Sequence, residues 1–129
     1  MSRLLLDTHA FLWWLTGDNR LSQTAVAAIG DEQNEIFVSS ASAWEISTKY
    51  RNGKLPEAAA IATDIDSAMK SQGFNALPVN IPHGQSAGAL PGPHKDPFDR
   101  MLIAQAMIER MVLVSKEEPF DAYGVTRLW

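Results

Sequence analysis

The chain has no cysteine, no apolar run long enough to span a bilayer and no strong charge of either sign. The first absence excludes a disulfide framework, a thiolate metal site and a cysteine nucleophile together. The second leaves only Leu4-Leu5-Leu6 as an apolar stretch before Asp7. That is too short for the apolar part of a signal peptide or for a transmembrane helix. The expectation is a cytoplasmic protein without a membrane partner. The third absence is a net charge of only −4, from 15 acids against 11 Lys and Arg. This argues against gripping nucleic acid through an overall basic field. It leaves a nuclease open, because an acidic metal site itself adds negative charge.

Also missing are internal repeats, linkers and low-complexity tracts, so the expectation is a single domain over residues 1–129. What is present is an alternation of short apolar runs with helical patterns. Leu4-Leu5-Leu6, Ile36-Phe37-Val38 and Val112-Leu113-Val114 read as strands covered on both faces. A fourth strand is expected over 74–79, at an edge or ending early because of Pro78, and a last short one over 125–129. Helices are expected after Asp7, after Ser22 as N-cap, around Trp44 and Glu45, and from 97 to 110. A long helix is expected after Pro56, with Ile61, Ile65, Ala68 and Met69 on one face; 82–90 reads as a short helix weakened by Gly84 and Gly88. This alternation implies an α/β fold on a mainly parallel sheet, whose functional crevice lies beyond the carboxyl ends of its strands.

The acids are placed to meet there. The organising stretch is Asp96-Pro97-Phe98-Asp99-Arg100, which opens an otherwise apolar helix with two carboxylates. Asp96 fits an N-cap and Pro97 the first helical position, which leaves Asp99 for a ligand role. Asp7 follows a strand directly and reads equally as a helix cap or a ligand. Ser42 to Glu45 fits a capping box, which accounts for Glu45 without chemistry. Glu117 follows the third strand, and beside Lys116 and Glu118 it reads alone as solvated surface. As a set, however, carboxylates in one crevice repel unless a cation neutralises them. Oxygen-only ligands select a hard ion, Mg²⁺ or Mn²⁺, suited to displacement at phosphate. Thr8 and Ser42 are candidates to hydrogen-bond the acids. His9, His83 and His94 lack metal-like spacing, and His9 reads as structural. Lys49, Arg51 and Lys54 form the one basic cluster, which suits a phosphate backbone or a solvated helix end equally. A phosphatase using Asp7 as nucleophile is disfavoured, because His9 stands where such enzymes usually carry a second Asp.

Leu5 through Trp14, Ala43-Trp44-Glu45-Ile46, Asp96 through Ala106, and the ending Tyr123-Gly124-Val125 with Leu128-Trp129 together resemble the PIN-domain ribonucleases. Within these, the chain is similar to the VapC-like toxins of bacterial type II toxin–antitoxin systems. The resemblance implies a three-layer α/β/α sandwich and Mg²⁺- or Mn²⁺-dependent endoribonuclease activity. It also implies neutralisation by a cognate VapB-like antitoxin, an RNA substrate and a homodimer. Catalytic roles carry over to Asp7, Glu45 and Asp99, and metal ligation to Asp7, Glu45, Asp96, Asp99 and Glu117. The family's fourth acid is usually Asp in a Thr-x-Asp setting, where this chain has Ser115-Lys116-Glu117. Glu keeps the charge but moves it out by one methylene, which weighs against tight binding of a second metal. An alternative is therefore a catalytically weak or inactive PIN module whose main role is antitoxin binding.

Overall fold

A computed structural model describes residues 1–129. Five strands, β1 (Arg3–Leu6), β2 (Glu35–Ser39), β3 (Asn75–Leu77), β4 (Val112–Val114) and β5 (Arg127–Leu128), form one sheet in the order β3-β2-β1-β4-β5. Every pairing is parallel, with Leu5 of β1 opposite Phe37 on one side and Leu113 on the other. Six helices connect them: α1 (Thr8–Thr16), α2 (Gln23–Gly30), α3 (Ser40–Arg51), α4 (Ile65–Ser71), α5 (Ile81–Ala89) and α6 (Pro97–Glu109). The result is a three-layer α/β/α sandwich.

Because side chains alternate along a strand, β1 divides the core into two halves. Leu4 and Leu6 join Phe11 and Leu12 of α1, Ala25 and Ile29 of α2, and Ile46 of α3. Leu5 faces the other way and packs with Leu113 of β4, Leu102 and Ile103 of α6, and Phe120. From Leu4 to Leu6 the central strand is buried on both faces, so after Arg3 it carries no polar residue until Asp7. β3 is an edge strand, as Pro78 beyond its end foretells.

Three local expectations are corrected. The long helix after Pro56 is instead a 3₁₀ turn, Pro56–Ala58, followed by turns and the seven-residue α4. The apolar spacing from Ile61 to Met69 is helical, but Asp64 interrupts it. Its side chain accepts from the Ser67 N–H at 3.0 Å and Ser67 Oγ at 2.9 Å, starting a fresh helix. The second is a matter of degree: the short helix expected over 82–90 forms as the nine-residue α5, and its two glycines do not break it. Asn80 accepts from the His83 N–H, and His83 Nδ1 accepts from the Asn80 N–H, making a capping box around Ile81 and Pro82. Third, Ser42 does not cap α3. Ser39 does, accepting from Ala41 N–H at 3.0 Å, so Glu45 sits beyond the first turn and no capping duty explains it.

Candidate active site at the carboxyl edge of the sheet

In a parallel sheet each following helix starts at the carboxyl edge, and the helix preceding a strand starts there too. β1 lies where the chain order reverses, with β2 on one side and β4 on the other. Such a switch point leaves a crevice between diverging connections. Asp7 leaves β1 directly into it. The Asp7 N–H donates to Val114 O at 3.0 Å, extending the ladder by one residue, while Oδ1 accepts from the Ala10 N–H at 2.8 Å as cap of α1. The cap reading of Asp7 is thus met, and the cap bond accounts for Oδ1 alone. Asp7 is 6% exposed. Burial raises its pKa from 3.8 to about 6, with the charge of Asp99 adding to the rise; a hydrogen bond from Ser115, the Ala10 N–H and the nearby His9 oppose it.

Asp99 enters from the first turn of α6. Asp96 caps that helix, its Oδ1 accepting from Phe98 N–H at 2.9 Å and Asp99 N–H at 3.2 Å, and Pro97 follows as expected. Asp99 is half-buried, and burial together with the charges of Asp96 and Glu45 holds its pKa above the usual carboxylate value. A hydrogen bond with His94 Nε2, 2.8 Å from Oδ2, pulls the other way.

Glu45 comes from α3 and is 3% exposed. Thr8 Oγ1 donates to its Oε1 and lies 3.1 Å from Ser42 Oγ, while Lys49 Nζ forms an ion pair with Oε2 one turn on. Of the two hydroxyls expected to support the acids, Thr8 bonds Glu45 directly, whereas Ser42 bonds only Thr8. Burial tends to lower the Lys49 pKa, but the bond to Glu45 and the charges of Glu45, Asp96 and Asp99 leave it raised. Trp44, 64% exposed, stands at the rim with its ring 4.9 Å from that of Phe98.

The fold therefore makes electrostatic neighbours of Asp7, Asp99, Asp96 and Glu45. The charges that shift Asp7 and Asp99 do not include that of Glu117. That residue is exposed, its backbone N–H donates to Ser115 Oγ at 3.0 Å, and its charge acts on Arg127. Two residues that the sequence offers no role at the site join the acids there: His94, which lies in a proline- and glycine-rich loop without periodicity and bonds Asp99, and Ser115, which looks like an ordinary strand-end residue and bonds Asp7. His9 is exposed and stacks near Trp13 at 5.6 Å, so it is not a core residue. Lys49 lies in the last turn of α3, as does Arg51, and its ammonium pairs with Glu45.

The side chains as they stand make no group of three acids or histidines close enough to hold a metal ion. The donor set nevertheless suits one. It is all oxygen and acidic, burial and mutual charge raise the pKa of two of its carboxyls, Asp7 and Asp99, and it already attracts a cation in the Lys49 ammonium.

A PIN-domain family model matches residues 4–125. The chain belongs to the PIN-domain family. Among curated proteins, this PIN domain is 40% identical over 68 residues to the ribonuclease VapC16 of Mycobacterium tuberculosis. The match spans 50% of this chain and 48% of that protein, so about half the length of each is compared. Among solved structures, VapBC2 of Rickettsia felis bound to a promoter DNA fragment gives a TM-score of 0.67 at 14% identity, covering 98% of this chain and 97% of that one. VapC20 of M. tuberculosis, a toxin that cleaves the sarcin–ricin loop, gives 0.65 at 14% identity, covering 95% and 96%. At these identities the structural matches establish the shared sandwich. No helix of the PIN domain is long and apolar enough to cross a membrane.

Proposed function

We propose that this PIN domain is a Mg²⁺- or Mn²⁺-dependent endoribonuclease acting as the toxin of a toxin–antitoxin pair. The observation that carries this reading is the convergence of Asp7, Asp99 and Glu45 from three separate elements on one sheet edge, with the Asp7 carboxyl buried and its pKa near 6. A buried carboxyl with no ion-pair partner, as at Asp7, is costly, and its place beside Asp99 and Glu45 favours a cationic ligand. The named activities of VapC16 and VapC20 give the substrate class.

When bound, Mg²⁺ or Mn²⁺ supplies Lewis acidity at phosphate and lowers the pKa of a water. Asp7 and Asp99 would hold it, with Glu45 as third ligand or as the group orienting the attacking water. Thr8 holds Glu45 Oε1 from outside, and the Asp7 N–H bond to the β4 backbone fixes where that carboxyl starts. Asp96 acts as the cap that sets the α6 start, with its charge turned toward the same crevice. Residues 1–129 form a single PIN-like domain in this proposal, working in the cytoplasm as a homodimer. The partner is a VapB-like antitoxin whose Arg or Lys would satisfy the acidic crevice in place of the metal.

The deciding experiment is cleavage of total cellular RNA by antitoxin-free protein with Mg²⁺, Mn²⁺ or EDTA, beside Asp99→Asn. Metal-dependent fragments lost in the variant are expected. A second reading, a weak or inactive module that mainly binds antitoxin, is favoured by the position of Glu117 outside the acid group. Intact RNA in every lane, from folded protein that still binds its antitoxin, would establish that reading instead.

A further inference from the structure

We propose that His94 is a positioning residue that fixes the Asp99 carboxylate for a divalent cation. This rests on the metal-dependent reading above, but the observations are independent of it. His94 is not loosely placed. Its N–H donates to the Tyr123 hydroxyl at 3.0 Å, and its carbonyl accepts from Arg100 Nη1 at 2.9 Å. Its ring packs edge-on against Phe120 at 5.5 Å and against Tyr123 at 6.5 Å. Arg100 also donates to the carbonyls of Ala87, at 3.0 Å, and Leu90, so it ties α5, the loop and α6 together. A guanidinium with several carbonyl partners is a rigid brace.

The loop has a further anchor at Gly92. With φ at +99°, its backbone suits glycine, and a Cβ there would lie 2.9 Å from the Tyr123 hydroxyl. The chain must pass that close for Tyr123 to reach the His94 N–H. The consequence falls on Asp99. The His94 Nε2 bond occupies Oδ2 alone, and no protein hydrogen bond is made to Oδ1. One oxygen is thereby fixed and the other left for a ligand, with the carboxylate orientation set in advance. Carboxylates held from behind in this way bind metals more tightly, by about 10- to 100-fold in affinity or activity.

The test is Mn²⁺ binding to the purified full chain by calorimetry, in wild type, His94→Ala, His94→Gln and Gly92→Ala, with thermal unfolding on each. His94→Ala is expected to weaken Mn²⁺ binding by about 10-fold or more. His94→Gln keeps an N–H donor and is expected to recover most of the loss, which a purely structural role would not predict. Gly92→Ala leaves every titratable group in place and is expected to weaken binding by displacing the loop. In cleavage, the His94→Ala loss should fall on kcat more than KM for RNA. Wild-type affinity in folded His94→Ala would overturn the assignment, as would His94→Gln no better than His94→Ala. If wild type binds and cuts while His94→Ala is unchanged, only the role of His94 falls. If wild type neither binds Mn²⁺ nor cuts, the metal-dependent reading falls and this assignment with it.

Discussion

β1 and β4 are neighbours, parallel and in register, yet the acids that follow them end in opposite environments. Asp7 follows β1 without an intervening residue, caps α1 and is buried. Glu117 comes three residues after β4, at the start of a 3₁₀ turn, Glu118–Tyr123, that it does not cap with its side chain. The buried position at the β4 exit belongs to Ser115, which is fully enclosed and hydrogen-bonds the Asp7 carboxyl. Being near a strand end is thus not enough. The residue that continues the ladder enters the crevice, and one two steps further on, past an exposed Lys116, returns to solvent.

The largest test of this contrast is in catalysis. Asp7→Asn and Asp99→Asn should each reduce RNA cleavage by about 100-fold or more, because each removes a charge from the crevice. Glu117→Gln should stay within about threefold of wild type in the same gel assay. Equal losses at Asp7 and Glu117 would erase the distinction.

Stability gives the next largest effect, with the opposite sign. The unfolded chain releases the Asp7 proton near 3.8, whereas the folded chain holds it to about 6. The folded state therefore binds more protons between those values, and its stability falls as pH rises through that window. The shift corresponds to about 3 kcal/mol at most. Asn caps a helix as well as Asp and cannot ionise. In EDTA, Asp7→Asn should therefore melt above wild type at pH 7, the gap closing toward pH 4. Saturating Mn²⁺ should raise the wild-type Tm at pH 7 and leave the variant little changed. A variant that melts lower than wild type at pH 7 would show that the burial cost has been misplaced.

Smaller effects sharpen the comparison. Ser39 at the β2 exit resembles Asp7, a polar residue that leaves a strand and caps the next helix. Ser39→Ala should cost about 1 kcal/mol in urea unfolding. The stability change for Glu117→Gln should remain within about 0.5 kcal/mol, the range of ordinary surface substitutions.

Much of this was written locally. Leu4-Leu5-Leu6 and Val112-Leu113-Val114 could only be covered strands, and Asp96-Pro97 could hardly start anything but a helix, since cap, fixed φ and dipole agree there. The boundaries that went astray lay where two local signals competed. The apolar spacing across 61–69 hid the Asp64 cap, and the glycines of α5 hid the Asn80–His83 box.

The α/β alternation and the parallel sheet were legible along the chain, as were the carboxylates that stand at strand ends and helix starts, because strand period, helix caps and apolar runs are properties of neighbouring residues. It took the folded chain to make Asp7, Asp99 and Glu45 electrostatic neighbours and to leave Glu117 exposed. The fold alone joined Lys49 to Glu45, Ser115 to Asp7 and His94 to Asp99. Burial and charge act through space, so the environment of a carboxyl depends on whatever distant chain happens to enclose it.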